Sequence, residues 1–168
     1  MSRSGYNDGD CDSVEDMLRM YAWNANVRRH IGGRKGQAFM WELYQALEAL
    51  PSRELITGAL MDRDGAYCSL GAVARFRGIQ IPTEWVQTAD NDPEDYDYEF
   101  AEAMGPLLGI KDMMAREVMY ENDDASDWHD VPGPPRARWQ SGPHREEMPE
   151  ERWYRVREWV VSKLRGIP

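Results

Sequence analysis

The sequence predicts a mainly α fold, a single domain of about six helices with one short β-hairpin, with an α+β arrangement as the alternative. Three observations predict it. The run Gly36 to Gly78 reads as helix, hairpin, helix with few ambiguous residues. Apolar residues elsewhere recur at three- and four-residue spacing. Finally, no internal repeat and no alternation of strands with helices appears, which argues against a parallel sheet.

Residues 1–12 are small, polar and acidic and read as a flexible arm, leaving 13–168 for the domain. Ser13 and Asp16 resemble a capping box, and Val14, Met17, Leu18, Tyr21 and Val27 follow at helical spacing. They predict a first helix over 13–30, stopped by Gly32 and Gly33. A second is expected over 35–50, from Phe39, Met40, Leu43, Leu47 and Leu50, with Pro51 just beyond. Residues 55–61 and 66–68 flank Asp62-Arg63-Asp64-Gly65, a turn signal, and predict the hairpin. A third helix follows over 69–77, ended by Gly78, and 82–92 reads as short helix or loop.

Asp92 as cap and Pro93 at the first position open a further helix, which Gly105 and Pro106 are expected to close. Residues 110–121 give the next, with Met114, Val118 and Met119 inward. From 122 to 147 the chain is rich in proline, glycine and charge and reads as a long excursion. Pro149 starts the last helix, where Trp153, Val156, Val160 and Leu164 make one stripe. Leu43, Leu47, Leu70, Val73, Val156 and Val160 are expected to share one buried core.

A chain of 168 residues can bury about 70% of its unfolded surface. Its net charge of −10 opposes general binding to nucleic acid or membranes, both anionic, and leaves a basic partner or a small anion held at a local positive patch. Cys11 and Cys68 are the only cysteines, which is no disulfide framework and fits a reducing cytoplasm. The opening residues lack an apolar core of the signal-peptide type, and no stretch approaches about 18 apolar residues, so neither secretion nor membrane spanning is expected.

Three constellations could carry chemistry. Cys68 falls where a strand meets a helix, and the positive end of a helix dipole lowers a thiol pKa. A cysteine nucleophile also needs a base, for which His30, His129 and His144 are the candidates. The bland reading is a small buried thiol. Second, Arg28, Arg29, Arg34 and Lys35 concentrate four cations before a helix start, with Gln37 beside them. Guanidinium groups and free helix N–H groups make an anion site there; the glycine spacing fits neither a P-loop nor a dinucleotide fingerprint. Cations at a helix end are favourable without any ligand.

Third, residues 90–99 form an acidic run with interleaved tyrosines, able to mimic a nucleic-acid backbone or simply to be a solvated face. Trp128 and Trp139 lie in the polar excursion, where they either anchor a ligand or partner or pin the loop to the body. No metal or cofactor is expected. Asp62-x-Asp64-Gly65 lacks the glycine position and closing glutamate of a calcium loop, and Asp127 to Asp130 has no partner at zinc spacing.

The stretch from Ala66 to Val73, AYCSLGAV, resembles the C-A-L-G-A-type motif of small uncharacterised proteins from bacteria and their phages. Met119-Tyr120-Glu121-Asn122-Asp123 and the closing Trp153 helix are similar to their acidic Asn-Asp segment and final amphipathic helix. The resemblance implies a phage or prophage setting rather than a reaction, and implies that Cys68, Asn122 and Asp123 converge. The expected function is accordingly a non-enzymatic accessory protein in the host cytoplasm. It would sequester or inhibit a host protein or a small anionic ligand, including in an anti-defence role, and homo-oligomerisation is open. The alternative is a cysteine-dependent hydrolase or transferase using Cys68 with His129 or His144.

Overall fold

The computed structural model describes residues 14–87, 97–123 and 147–166. Six α-helices dominate the described chain: α1 (Val14–Gly32), α2 (Arg34–Glu48), α3 (Ser69–Phe76), α4 (Asp97–Leu108), α5 (Asp112–Asp123) and α6 (Pro149–Lys163). α2 packs on α1, α3 and α6, and α5 packs on α1, α3, α4 and α6. One hydrophobic cluster draws residues from every helix, from Val27 of α1 to Val160 of α6. Leu43, Leu47, Leu70, Val73, Val156 and Val160 are all buried within it, as their spacing predicts. The arm at 1–12 and the excursion from 124 to 146 lie outside the described residues.

The chemistry of the helix ends explains their boundaries. α3 stops where Gly78 takes φ +68°, its N–H bonding the Arg75 carbonyl while the Ile79 N–H bonds that of Ala74. This pair of hydrogen bonds satisfies two of the last carbonyls of the helix. α4 ends in the same way at Gly109, with Gly109 N–H to Pro106 and Ile110 N–H to Gly105. Gly105 and Pro106 therefore lie inside α4 rather than closing it. Gly105 serves a different need, because a Cβ there would crowd Ile110 O and Asp112 N at 3.2 Å. α6 starts at Pro149, and Glu151 reaches back to the Met148 N–H at 3.0 Å.

The hairpin expectation also changes. The hairpin turn forms, with Gly65 at φ +79° and Asp62 Oδ1 accepting from the N–H groups of Asp64 (3.0 Å) and Ala66 (2.8 Å). Pairing stops at one antiparallel bridge, Met61 to Tyr67, plus a parallel bridge from Met61 to Val86. No strand forms among the described residues, because this segment is fixed by other contacts. Leu55 and Leu60 are buried, and the Leu55 N–H and carbonyl bind Pro149 O and Arg152 of α6. In α1, Val14, Leu18 and Tyr21 face outward, and the helix meets the core through Val27 and Ile31.

Candidate functional site

The basic corner is built where three chain segments meet. Gly33 alone separates α1 from α2. Gly36 lies so close to the His30 and Ile31 carbonyl oxygens that any Cβ would collide with them. Gln37 then clasps the third segment: its Nε2 donates to Ile31 O and Lys163 O, each at 2.9 Å, and its Oε1 accepts the Arg165 N–H at 2.7 Å. Arg165 Nη1 adds a bond to Gly32 O at 3.3 Å. Two cations from the end of α6, Lys163 and Arg165, are thereby brought beside the α1–α2 junction that carries Arg28, Arg29, Arg34 and Lys35.

All six of these cations are exposed, and among the described residues none has a carboxylate partner. Arg53, Arg63, Arg75 and Lys111 are likewise exposed without a carboxylate partner among the described residues, but they are scattered over other segments, and several other arginines are paired. Arg77 is bidentate to Glu42, Arg157 bonds Glu48 at 2.5 Å, and Arg155 holds Glu147 through two bonds of 2.6 and 2.8 Å. Two details differ from the sequence expectation. Gln37 is committed to holding the corner together. The first turn of α2 faces the carbonyl end of α1, so the two helix dipoles meet head to tail. Positive potential at the corner therefore comes chiefly from the side chains. Lys163 and Arg165 escaped sequence reasoning, since only the Gln37 clasp, across more than a hundred residues, places them here.

Cys68 is the N-cap of α3, as its position predicts, and its Sγ accepts the Gly71 N–H at 3.4 Å. Burial overrides the helix dipole. The thiol is pushed up to about 12, first by its removal from water, with the Asp123 carboxylate adding to the rise and the Gly71 N–H opposing it. His30 directs Nδ1 at its own helix, to Asn26 O at 2.8 Å. His129 and His144 lie outside the described residues, as do Trp128, Trp139 and most of the acidic run.

Beside the thiol lies a buried polar network. Asn122 Oδ1 accepts from the Ser69 N–H (3.0 Å) and Ser69 Oγ (2.6 Å), while its Nδ2 donates to Ile56 O (2.7 Å) and Asp123 Oδ1 (2.6 Å). Arg155 donates to the Glu121 and Asn122 carbonyls and carries α5 through Asp123, past the expected end at 121. The Asn122 amide joins α5 to Ser69 of α3 and to Ile56, and Arg155 ties α6 to the end of α5. Among the described residues no cluster of three or more histidine, cysteine, aspartate or glutamate side chains could hold a metal. No helix among them is long and apolar enough to cross a membrane.

No protein-family model matches the chain, and no curated protein and no solved structure matches it either.

Proposed function

We propose that the protein is a non-enzymatic binding protein whose basic corner takes an anionic group, on a small phosphate-like ligand or on the acidic surface of a host protein. One observation carries the reading. Six exposed cations without carboxylate partners among the described residues, Arg28, Arg29, Arg34, Lys35, Lys163 and Arg165, gather at one junction of a chain whose net charge is −10. Guanidinium groups bind phosphate or carboxylate through paired charge-assisted bonds, each contributing about 1.5–3 kcal/mol. The phage setting, and with it sequestration or inhibition of a host component, rests on the sequence resemblance alone.

The thiol-enzyme alternative is disfavoured by the state of Cys68, which is buried and holds its proton at any physiological pH. The test is double reversal, Arg34→Glu with Lys35→Glu, on exposed positions where the fold is not at stake. Thermal shift by inorganic pyrophosphate at low salt, and capture of any host protein by the wild type, should both be lost in this variant. Retention of both at low salt would retire the proposal. Loss on neutralising residues 90–99 instead would move the function to the acidic run.

A further inference from the structure

α1 carries apolar side chains on two opposed faces. At about 100° per residue, Trp23, Val27 and Ile31 point one way and Val14, Leu18, Tyr21 and Ala25 point nearly the other. The first set serves the core: Val27 and Ile31 are buried and Trp23 packs against them. The second set faces water, with Val14 69%, Leu18 62% and Tyr21 64% exposed, and Ala25 exposed beside them. A surface helix is ordinarily polar on the face away from its core. The outward set recurs instead at four, three and four residues, the spacing of a two-helix seam, and Arg28 continues it by three.

We propose that this outer face of α1 is a dimer seam, occupied by α1 of a second copy lying antiparallel. The charges along α1 select both the occupant and its direction. Glu15 flanks the seam near its start and, among the described residues, pairs with Arg19 of the same helix in an exposed contact that exchanges readily. Arg28 and Arg29 flank its end and have no carboxylate partner among the described residues. An antiparallel copy sets the acidic start of each helix against the basic end of the other, whereas a parallel copy opposes Arg28 and Arg29 to themselves. The arrangement is isologous and closes at two chains. Val14 to Arg28 spans only about 21 Å of helix, so association is reversible. Arg34, Lys35, Lys163 and Arg165 stay outside the seam, whereas Arg28 and Arg29 enter both readings, so the Leu18 and Tyr21 variant, which leaves every corner cation in place, separates the seam from the anion reading.

Sedimentation velocity on the full chain over a wide dilution series is the test. The wild type should pass from monomer to dimer, and Leu18→Glu with Tyr21→Glu should remain monomeric with unchanged helical circular dichroism. Arg28→Glu with Arg29→Glu should weaken dimerisation about tenfold. Adding Glu15→Arg to that same chain should restore it, because only antiparallel pairing re-creates opposite charges. A wild type monomeric at every concentration overturns the proposal. A dimer that survives the Leu18 and Tyr21 changes, or a triple charge variant that fails to recover, overturns it as well.

Discussion

A thiol at a helix start feels two opposed influences, and Cys68 shows which wins. The dipole and the Gly71 N–H favour the thiolate, but burial removes the solvation on which a thiolate depends. Iodoacetamide near neutral pH should accordingly leave native Cys68 almost unlabelled and react only after denaturation; fast native labelling would revive the nucleophile reading. The same imbalance has a signed pH consequence. The unfolded thiol ionises near 9.0 and the folded one near 12, so above about pH 9 the unfolded chain sheds its proton first. Stability should fall as pH rises through that window, by more than in Cys68→Ala, which lacks the ionisation. Denaturant midpoints at pH 8 and 10 would check this.

Asn122 illustrates what sequence reading reaches and what it misses. Its likeness-based pairing with the Cys68 region was legible, yet its actual partners, the Ser69 N–H and hydroxyl 53 positions away, follow only from how α5 crosses α3. Asn122→Ala would strand both Ser69 donors and the Ile56 carbonyl in the interior. With each buried orphan costing about 1–3 kcal/mol, a loss of roughly 3 kcal/mol or more is expected in chemical denaturation.

At the scale of elements, hydrophobic periodicity, caps and breakers together located all six helices, the periodicity being clearest in α2, α5 and α6, whose stripes face the shared core. The errors arose where a residue type had a second use. Gly105 and Pro106 read as a stop, but Gly105 makes room for the start of α5 and the stop belongs to Gly109. In α1 the outward residues Val14, Leu18 and Tyr21 were indistinguishable in sequence from core residues, since periodicity reports that a stripe exists and not which way it faces. Gly71 offers a test of close approach. An interior helix Gly→Ala change normally stabilises by about 1 kcal/mol. At Gly71 the new Cβ would meet the Leu60 carbonyl oxygen, which is backbone held by the Cys68 N–H. Gly71→Ala should therefore lower the melting temperature; a rise would show that the α3 contact with residues 55–60 is looser than described.

For the whole molecule, the decisive fact is how charge is spent. Arg77 and Arg157 reach Glu42 and Glu48 of α2, and Arg152 and Arg155 share Glu147 just before α6, while the corner cations face no carboxylate among the described residues. Four of the six corner cations were visible in sequence, Arg28, Arg29, Arg34 and Lys35 within one short stretch. The rest, Lys163 and Arg165, needed the closure made by Gln37, and no spacing rule spans that distance. Gln37→Ala, which removes three bonds at the corner, should weaken anion binding by loosening Lys163 and Arg165 while Arg34 and Lys35 remain. A calorimetric titration of the variant with pyrophosphate, compared with wild type, reads this as a partial loss.

The central claim, that this corner is the binding surface, is tested most directly by titrating inorganic pyrophosphate into wild type and into Arg34→Glu with Lys35→Glu at low and moderate salt. Saturable binding by the wild type is predicted, weakening as salt rises because the contacts are charge-assisted and exposed, and disappearing in the double reversal with the melting curve unchanged. Wild type that takes up no pyrophosphate at low salt, or a reversed variant that binds it equally well, would contradict the account.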